Sequence, residues 1–516
     1  MNENIVLLKK VTDHFIFIKK TNDLSDLLNK NLPTHNKSYL FLPLTNLFQQ
    51  RFFIKKLNLK VWIKSKNKIA FCLIDKNFAV MLIIGVSVNK ELKLKFSLIY
   101  KKNKLNLISK FVSVLINYLN HALYCSEIVL DRTLSKLFKE EKISHIKFNY
   151  NKQILTAGPS ISLKEVINVS NATRYGWDNN HSYYTNLFEK KFADFIGVKY
   201  ALATSSCTGA LQIALMSLNI GSGDEVIVPD LTWVATATAV RDVGAKPVFA
   251  DIEFDTWNIS SESIEKKITK KTKAIIPVHL YGHPARMDKI MKISKKYKLK
   301  IVEDAAPSIG AEWRGKKCGT FGSFAAFSFQ GAKLVVTGEG GMLVTNNYKL
   351  YCKAYKIWNH GRHEKKHFWI DQKGVKFKIS NMQSAFGSAQ IDRIDELIAM
   401  KRRIFNWYYD KLKHNKNLIL NKEVKYAKSV YWMTSILLKK ESKISRDELM
   451  LHLKKHKIDS RPVFPSISQY PIWYKKFKPE YNSNYIGKNA MNLPSGVTLS
   501  KREIDHVCDI INSIYE

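Results

Sequence analysis

Several familiar features are missing from this chain, and each absence narrows what it can be. None of its six cysteines (Cys72, Cys125, Cys207, Cys318, Cys352 and Cys508) forms a C-x-x-C pair, and no metal-ligand spacing appears. A zinc or redox-motif protein is therefore not expected, and the cysteines read as reduced thiols of an intracellular protein, with no metal site. Long hydrophobic runs are also lacking. The longest, Phe78 to Val86, has nine residues, against the about 20 needed to cross a bilayer. It reads as a buried strand. The N-terminal stretch Met1 to Lys10 lacks the layout of a signal peptide. The expectation is a cytoplasmic protein without a membrane span.

Negative charge is scarce. There are 83 Lys+Arg against 44 Asp+Glu, a net charge of +39. The first 150 residues hold 26 basic and 10 acidic residues, so +16 lies there and +23 in the rest. A dedicated nucleic-acid face would be clustered. A spread this even points to compositional bias, and no nucleic-acid partner is expected. Attraction to nucleic acid, to an acidic membrane surface or to anionic nucleotide-sugars is the functional alternative. The hydrophobic fraction of 45% is that of an ordinary globular protein with a large core.

The chain reads as three parts. Residues 1–150 form a small α/β module. Phe71–Ile74, Ala79–Val88 and Leu92–Tyr100 are strand-like, with a turn-like triplet Asp75-Lys76-Asn77 after the first. Leu105–Leu123 has apolar residues at helical spacing, Glu127–Leu130 reads as a strand and Leu134–Glu141 as a short helix. A polar linker is expected near 147–156. In a large domain, 151–395, buried strands at Val226–Val228, Pro247–Ala250, Ala274–Pro277 and Lys300–Glu303 alternate with helices, as in a mostly parallel sheet. A helix at about Ser384–Arg403 leads into a smaller C-terminal domain, 396–516.

The chemistry centres on Lys333. It follows the small-residue, apolar stretch Phe324 to Phe329 and precedes Leu334-Val335-Val336. A lysine held among such residues has its ammonium form disfavoured by desolvation, which suits a nucleophile. Upstream, Ile301-Val302-Glu303-Asp304 looks like a buried strand ending on a carboxylate. A lysine able to form a Schiff base, with an aspartate able to keep a pyridine nitrogen protonated, is the minimum equipment for pyridoxal phosphate (PLP) chemistry. Ser206-Cys207-Thr208-Gly209-Ala210 would open a helix, where small residues let backbone N–H groups approach a phosphate. N-capping by Ser206 or Thr208 is the plainer reading, and the two can coexist.

From about residue 153 to the end, these motifs and their order resemble the DegT/DnrJ/EryC1/StrS family of sugar aminotransferases. The series runs through Ala157-Gly158-Pro159-Ser160, Ser205 to Leu211, Gly223 to Pro229, Leu231-Thr232-Trp233-Val234-Ala235-Thr236, Pro277 to Gly282, Glu303-Asp304-Ala305-Ala306, Ser328 to Lys333 and Asn359-His360-Gly361. The resemblance implies an aspartate-aminotransferase-like fold of PLP type I, a homodimer with shared active sites, and ping-pong transfer of an amine from an amino acid, glutamate or glutamine, to a nucleotide-linked keto sugar. It also implies a role in making amino sugars for surface polysaccharides. By the same resemblance Lys333 carries the cofactor and shuttles the proton, and Asp304 pairs with the pyridine nitrogen. Thr208, Gly209 and Ser328 contact the phosphate. Trp233 stacks on the ring, although core packing is what its residue type alone suggests. His360 and Arg362 line the sugar site.

Two positions depart from the family's pattern. Where many relatives place His or Gln, this chain has Pro307, which offers no side-chain donor. Where relatives supply an Asn from the neighbouring subunit, the segment reads Gly374-Val375-Lys376-Phe377-Lys378, and Lys376 could reach a phosphate as a point charge.

Three rival readings remain. A sugar dehydratase of the same family would have replaced the lysine, typically by histidine, and Lys333 argues against it. A PLP-sensing regulator would need an N-terminal DNA-binding domain, and residues 1–150 show no helix-turn-helix pattern. A bifunctional enzyme with an N-acyltransferase module is suggested by a faint GNAT-like order of strands and helix. The loop that would cradle acyl-CoA, Lys101 to Asn106, contains no glycine, which points to a non-catalytic module.

Overall fold

The computed structural model describes residues 153–515 throughout and, within the first 152 residues, the backbone of eight strands. The chain divides into two compact units, Met1–Lys152 and Gln153–Glu516. In the first, Val6–Val11 pairs antiparallel with His14–Lys19. Six further strands form one sheet, in the order Leu59–Trp62, Lys68–Asp75, Ala79–Val88, Glu91–Tyr100, Cys125–Leu130, His145–Lys147. The strands read from sequence at 71–74, 79–88, 92–100 and 127–130 all fall within these elements. The helices expected at 105–123 and 134–141 lie outside the described residues.

The second unit is built on seven strands: β1 (Tyr200–Thr204), β2 (Glu225–Pro229), β3 (Lys246–Ala250), β4 (Thr272–Ile275), β5 (Lys300–Asp304), β6 (Phe324–Ser328) and β7 (Gly341–Thr345). Their order across the sheet is β3-β2-β4-β5-β6-β7-β1. All neighbouring pairs are parallel except those made by β7, which runs against both β6 and β1. β2, β6 and β7 are buried at every position, as short apolar runs in a doubly covered sheet must be. One face packs Leu211, Ile213, Val240 and Phe324. The other packs Phe188, Phe192, Phe327 and Phe329.

This topology places chemistry at one edge. Asp304 pairs with Ala326 across β5 and β6, and Ser328 and Thr204 both pair with Gly341. The carboxyl ends of β1, β5 and β6 and the start of β7 therefore line up. Such ends are where ligands bind in open α/β sheets.

Two expectations are corrected by tertiary contacts. The single helix expected over 384–403 is two, Asn381–Ile391 and Ile394–Leu412. At the break, Arg393 turns inward and donates from Nη2 to Ser160 Oγ (2.8 Å) and from Nη1 to Ser160 O (3.2 Å). Residues 153–156, read as linker, are tied down. Ile154 bridges to Ile458, and buried Thr156 donates its N–H to Asp459 Oδ2 (3.1 Å). The C-terminal part carries a four-stranded antiparallel sheet in the order Leu418–Leu420, Ser435–Leu438, Ala490–Asn492, Arg461–Pro462. Among the described residues no helix is long and apolar enough to cross a membrane.

Candidate active site

β1 ends at Thr204, and the chain turns through Ser205 and Ser206 into α1 (Cys207–Ser217). Ser206 is the N-cap. Its Oγ accepts from Gly209 N at 3.0 Å, so capping is real and uses the Gly209 N–H. The N–H groups of Cys207 and Thr208 find no acceptor among the described residues, and they stand where a helix dipole favours an anion. Ser205 N donates to Phe377 O at 2.7 Å, and the Phe377 ring lies over Gly209. A Cβ on Gly209 would sit 2.9 Å from Phe377 Cδ2. Close approach, not backbone freedom, is what requires glycine there.

Asp304, the last residue of β5, is buried. Thr236, in α2 (Ala235–Asp242), donates from Oγ1 to its Oδ2 at 2.7 Å, and Ala306 N donates to Oδ1 at 3.2 Å. The Cys207 thiol stands 4.0 Å from Oδ1. Burial pushes the carboxyl's pKa up, while the Thr236 and Ala306 hydrogen bonds and the charge of Lys333 pull it back.

Next to Asp304, the Glu303 carboxylate is fully buried. It accepts from Gly319, Phe321 and Gly322 N–H at 2.7–2.9 Å and faces His279 Nε2 at 3.1 Å. His279 Nδ1 accepts from Ala285 N at 3.0 Å, which leaves Nε2 to carry the proton toward Glu303. This pair braces the strand end that presents Asp304.

Lys333 lies in the loop between β6 and β7. The loop is closed by Gly331 N to Gly338 O (2.9 Å), Lys333 N to Gln330 O (2.8 Å) and Thr337 N to Phe329 O (2.8 Å). Leu334, Val335 and Val336 behind it are buried. Burial lowers the amine's pKa to about 8, against the opposing pull of Asp304 and Cys207. The ammonium rests on the Trp432 ring, with Nζ 3.7 Å from the centroid. An aromatic wall continues from there. Tyr281 stacks with Trp432 (5.9 Å, 20°) and with Phe464 (5.6 Å, 15°), and Trp233 meets Phe464 at 5.7 Å.

Trp233 is not a core residue, as its type suggested, but 58% exposed. Its neighbour Leu231 takes the buried position, and the indole is left with an open face. Ser328 is buried at the end of β6, and its Oγ accepts weakly from Gln330 N at 3.4 Å. Pro307 is buried and offers no donor.

His360 (φ 65°) and Arg362 follow the helix Tyr348–Trp358. His360 N donates to Val375 O at 3.3 Å, so this turn and the 374–378 segment lie side by side. Lys376 and Arg362 are exposed. Lys378 donates to Asn359 Oδ1 (2.7 Å), and its pKa is lowered by burial and by the charges of Arg362 and Lys376. The segment thus forms a basic strip beside the turn at Ser205–Gly209. Trp432 escaped the sequence reading because it lies about 100 residues from Lys333, in no motif. Thr236 lay within a quoted motif, but its partner Asp304 is 68 positions away.

An amine and a carboxylate, both shielded from water and with no ion pair between them, share an edge with an anion-ready helix start and an exposed indole. That donor set fits PLP: turn for phosphate, Asp304 for the ring nitrogen and Lys333 for the aldehyde carbon. Sheet order and site together define a PLP fold type I enzyme. Residues 159–512 match the model of the DegT/DnrJ/EryC1/StrS aminotransferase family, and the chain belongs to that family. It is 38% identical over 357 residues to a GDP-perosamine synthase of Escherichia coli O157:H7, covering 69% of this chain and 97% of that protein. It is 35% identical over 359 residues to a GDP-perosamine synthase of Vibrio cholerae, covering 69% and 98%. Among solved structures it resembles S. venezuelae DesV in complex with a ketimine intermediate (TM-score 0.64, 29% identity, 69% of this chain and 95% of that one). The protein is a PLP-dependent sugar aminotransferase.

Proposed function

We propose that the enzyme transfers the amino group of glutamate or glutamine to the ketone of a GDP-linked sugar. We further propose that it works in the cytoplasm as a homodimer, with residues 151–395 carrying the cofactor and 396–516 forming the smaller domain. The observation that carries the reading is the convergence of Lys333, Asp304 and the Ser206–Gly209 turn on one sheet edge. The nucleotide is suggested by the GDP-perosamine synthases that this chain resembles.

Bound there, PLP supplies an electrophilic carbon and an electron sink. The protein's own groups do the rest. Lys333, with a pKa lowered to about 8, keeps a useful fraction of free amine near neutral pH for attack on a carbonyl and for carrying a proton. Asp304 would hold a proton at the pyridine nitrogen, and Thr236 and Ala306 fix its carboxylate. Cys207 and Thr208 N–H groups, with Ser328 Oγ, would bind the phosphate. The open face of Trp233 would keep the ring plane. His360 and Arg362 face the sugar nucleotide, and Lys376 in its basic strip meets a phosphate as a point charge.

Borohydride reduction in the presence of PLP, followed by peptide mapping, tests the cofactor part. The expected result is a pyridoxyl label on the Lys333 peptide, absent from Lys333→Arg. Release of 2-oxoglutarate from glutamate, dependent on a GDP-linked keto sugar and absent with the dTDP-linked one, tests the substrate part. A label elsewhere, or equal turnover with both nucleotides, overturns the corresponding half.

A further inference from the structure

We propose that Trp432 is a positioning residue of the reaction: its indole face is the seat to which the Lys333 ammonium returns whenever that amine is not bonded to another group. The inference rests on the reading of Lys333 as the cofactor's lysine and adds the residue that decides where its amine waits.

Asp304 is the obvious resting place for a buried ammonium, yet no ion pair joins the two within 4.0 Å among the described residues. Nζ stands instead 3.7 Å from the Trp432 ring centroid. Tryptophan is the strongest ring for a cation, and the attraction grows when water is excluded. Trp432 is 7% exposed.

The ring is held from three directions. Its Nε1–H donates to Ala332 O at 2.7 Å, next to Lys333 itself. Its flat face stacks with Tyr281, whose hydroxyl accepts from Asn492 Nδ2 at 3.3 Å and Phe464 N at 3.4 Å. Its backbone carbonyl accepts from Nζ of buried Lys401 at 2.7 Å. Side chain, ring plane and backbone are each fixed by a different partner, more than packing alone requires.

An ammonium over a ring keeps its N–H bonds free of a carboxylate, so it can deliver a proton without first breaking an ion pair. Trp432 also lies just before the strand Ser435–Leu438 of the C-terminal sheet, whereas Lys333 lies between β6 and β7. The placement of the C-terminal part therefore fixes the amine at the sheet edge.

The test uses cofactor-free protein in three forms: wild type, Trp432→Leu and Trp432→Phe. Lys333 reactivity is measured by competitive trace acetylation against pH, read by mass spectrometry. The charged and titratable groups acting on Lys333 are Asp304 and Cys207, and both are retained in all three. Leucine preserves the burial and removes the ring face, so the midpoint should fall by about one unit, a tenfold change. Phenylalanine restores a face and should bring the midpoint back toward the wild-type value.

A second readout needs no substitution at Trp432. After reductive ¹³C-methylation, the Lys333 N-methyl resonance, assigned by its loss in Lys333→Arg, should lie upfield of the other lysines through the ring current. An unchanged midpoint in folded Trp432→Leu, or a Lys333 resonance within the envelope of exposed lysines, overturns the proposal. Because no PLP is present, failure of the cofactor reading would show in the borohydride experiment and leave these results standing.

Discussion

Thr236 Oγ1 donates to Asp304 Oδ2 at 2.7 Å, inside the protein and across 68 positions of sequence. The bond stabilises the ionised carboxylate, which burial destabilises. A hydrogen bond to a charged group is worth about 1.5–3 kcal/mol. Thr236→Val should therefore raise the Asp304 pKa further and lower kcat by about tenfold or more. Thr236→Ser should recover most of the loss. The measurement is kcat for both variants with the PLP content of each preparation equalised.

Gly209 is kept small by its neighbour. In Gly209→Ala the new Cβ would meet the Phe377 ring at 2.9 Å, an overpacking that costs about 1–3 kcal/mol. The double variant Gly209→Ala/Phe377→Leu should regain stability in urea denaturation while still binding PLP more weakly, because the methyl group also fills space beside the phosphate turn. Full recovery of PLP affinity in the double variant would show that the turn does not hold the phosphate.

Lys401 is buried without a counter-ion among the described residues, its Nζ donating to the carbonyls of Trp432 and Ser495. Burial lowers its pKa to about 7. The unfolded chain then binds more protons than the folded one between about pH 7 and the ordinary lysine value, and stability from this group rises with pH across that window. Below about pH 7 the cost of the buried charge is present in full. Lys401→Met should remove this slope, about 1.4 kcal/mol per pH unit for one proton. Urea denaturation of both proteins from pH 6 to 9 measures it, and parallel curves would refute it.

The four cysteines among the fully described residues should divide sharply. Cys352 is exposed, whereas burial pushes Cys207 and Cys318 well up and Cys508 to about 12. Alkylation at pH 8, followed by mass spectrometry, should label Cys352 at least tenfold faster than the other three. Rapid labelling of Cys207 would mean that its pocket admits water and that Asp304 is less shielded than its burial implies.

Much of the site was legible in the sequence because its signals are local. A strand ending on Asp304, a small-residue helix start at Ser206–Gly209 and a lysine between apolar runs are each contained within a few residues. The strands themselves were legible as short apolar runs, since burial on both faces leaves little room for polar residues. The break in the helix over 384–403 is not legible locally, because at it Arg393 reaches Ser160, more than 230 positions away. Residue type alone would put the Trp233 indole in the core, yet it is exposed: whether an indole is buried depends on what lies opposite it, and local composition does not carry that.

The sequence by itself determined the family, the buried lysine and aspartate proposed to serve the cofactor, and the alternation of strands and helices, because these rest on residue type and near-neighbour spacing. Only the tertiary structure decided that Thr236 anchors Asp304, that Phe377 covers Gly209, and that the Lys333 ammonium meets the face of Trp432 rather than a carboxylate. Those contacts join residues tens to hundreds of positions apart, and hydrogen bonds, ring contacts and desolvation act over a few ångströms of space regardless of the length of chain between the partners.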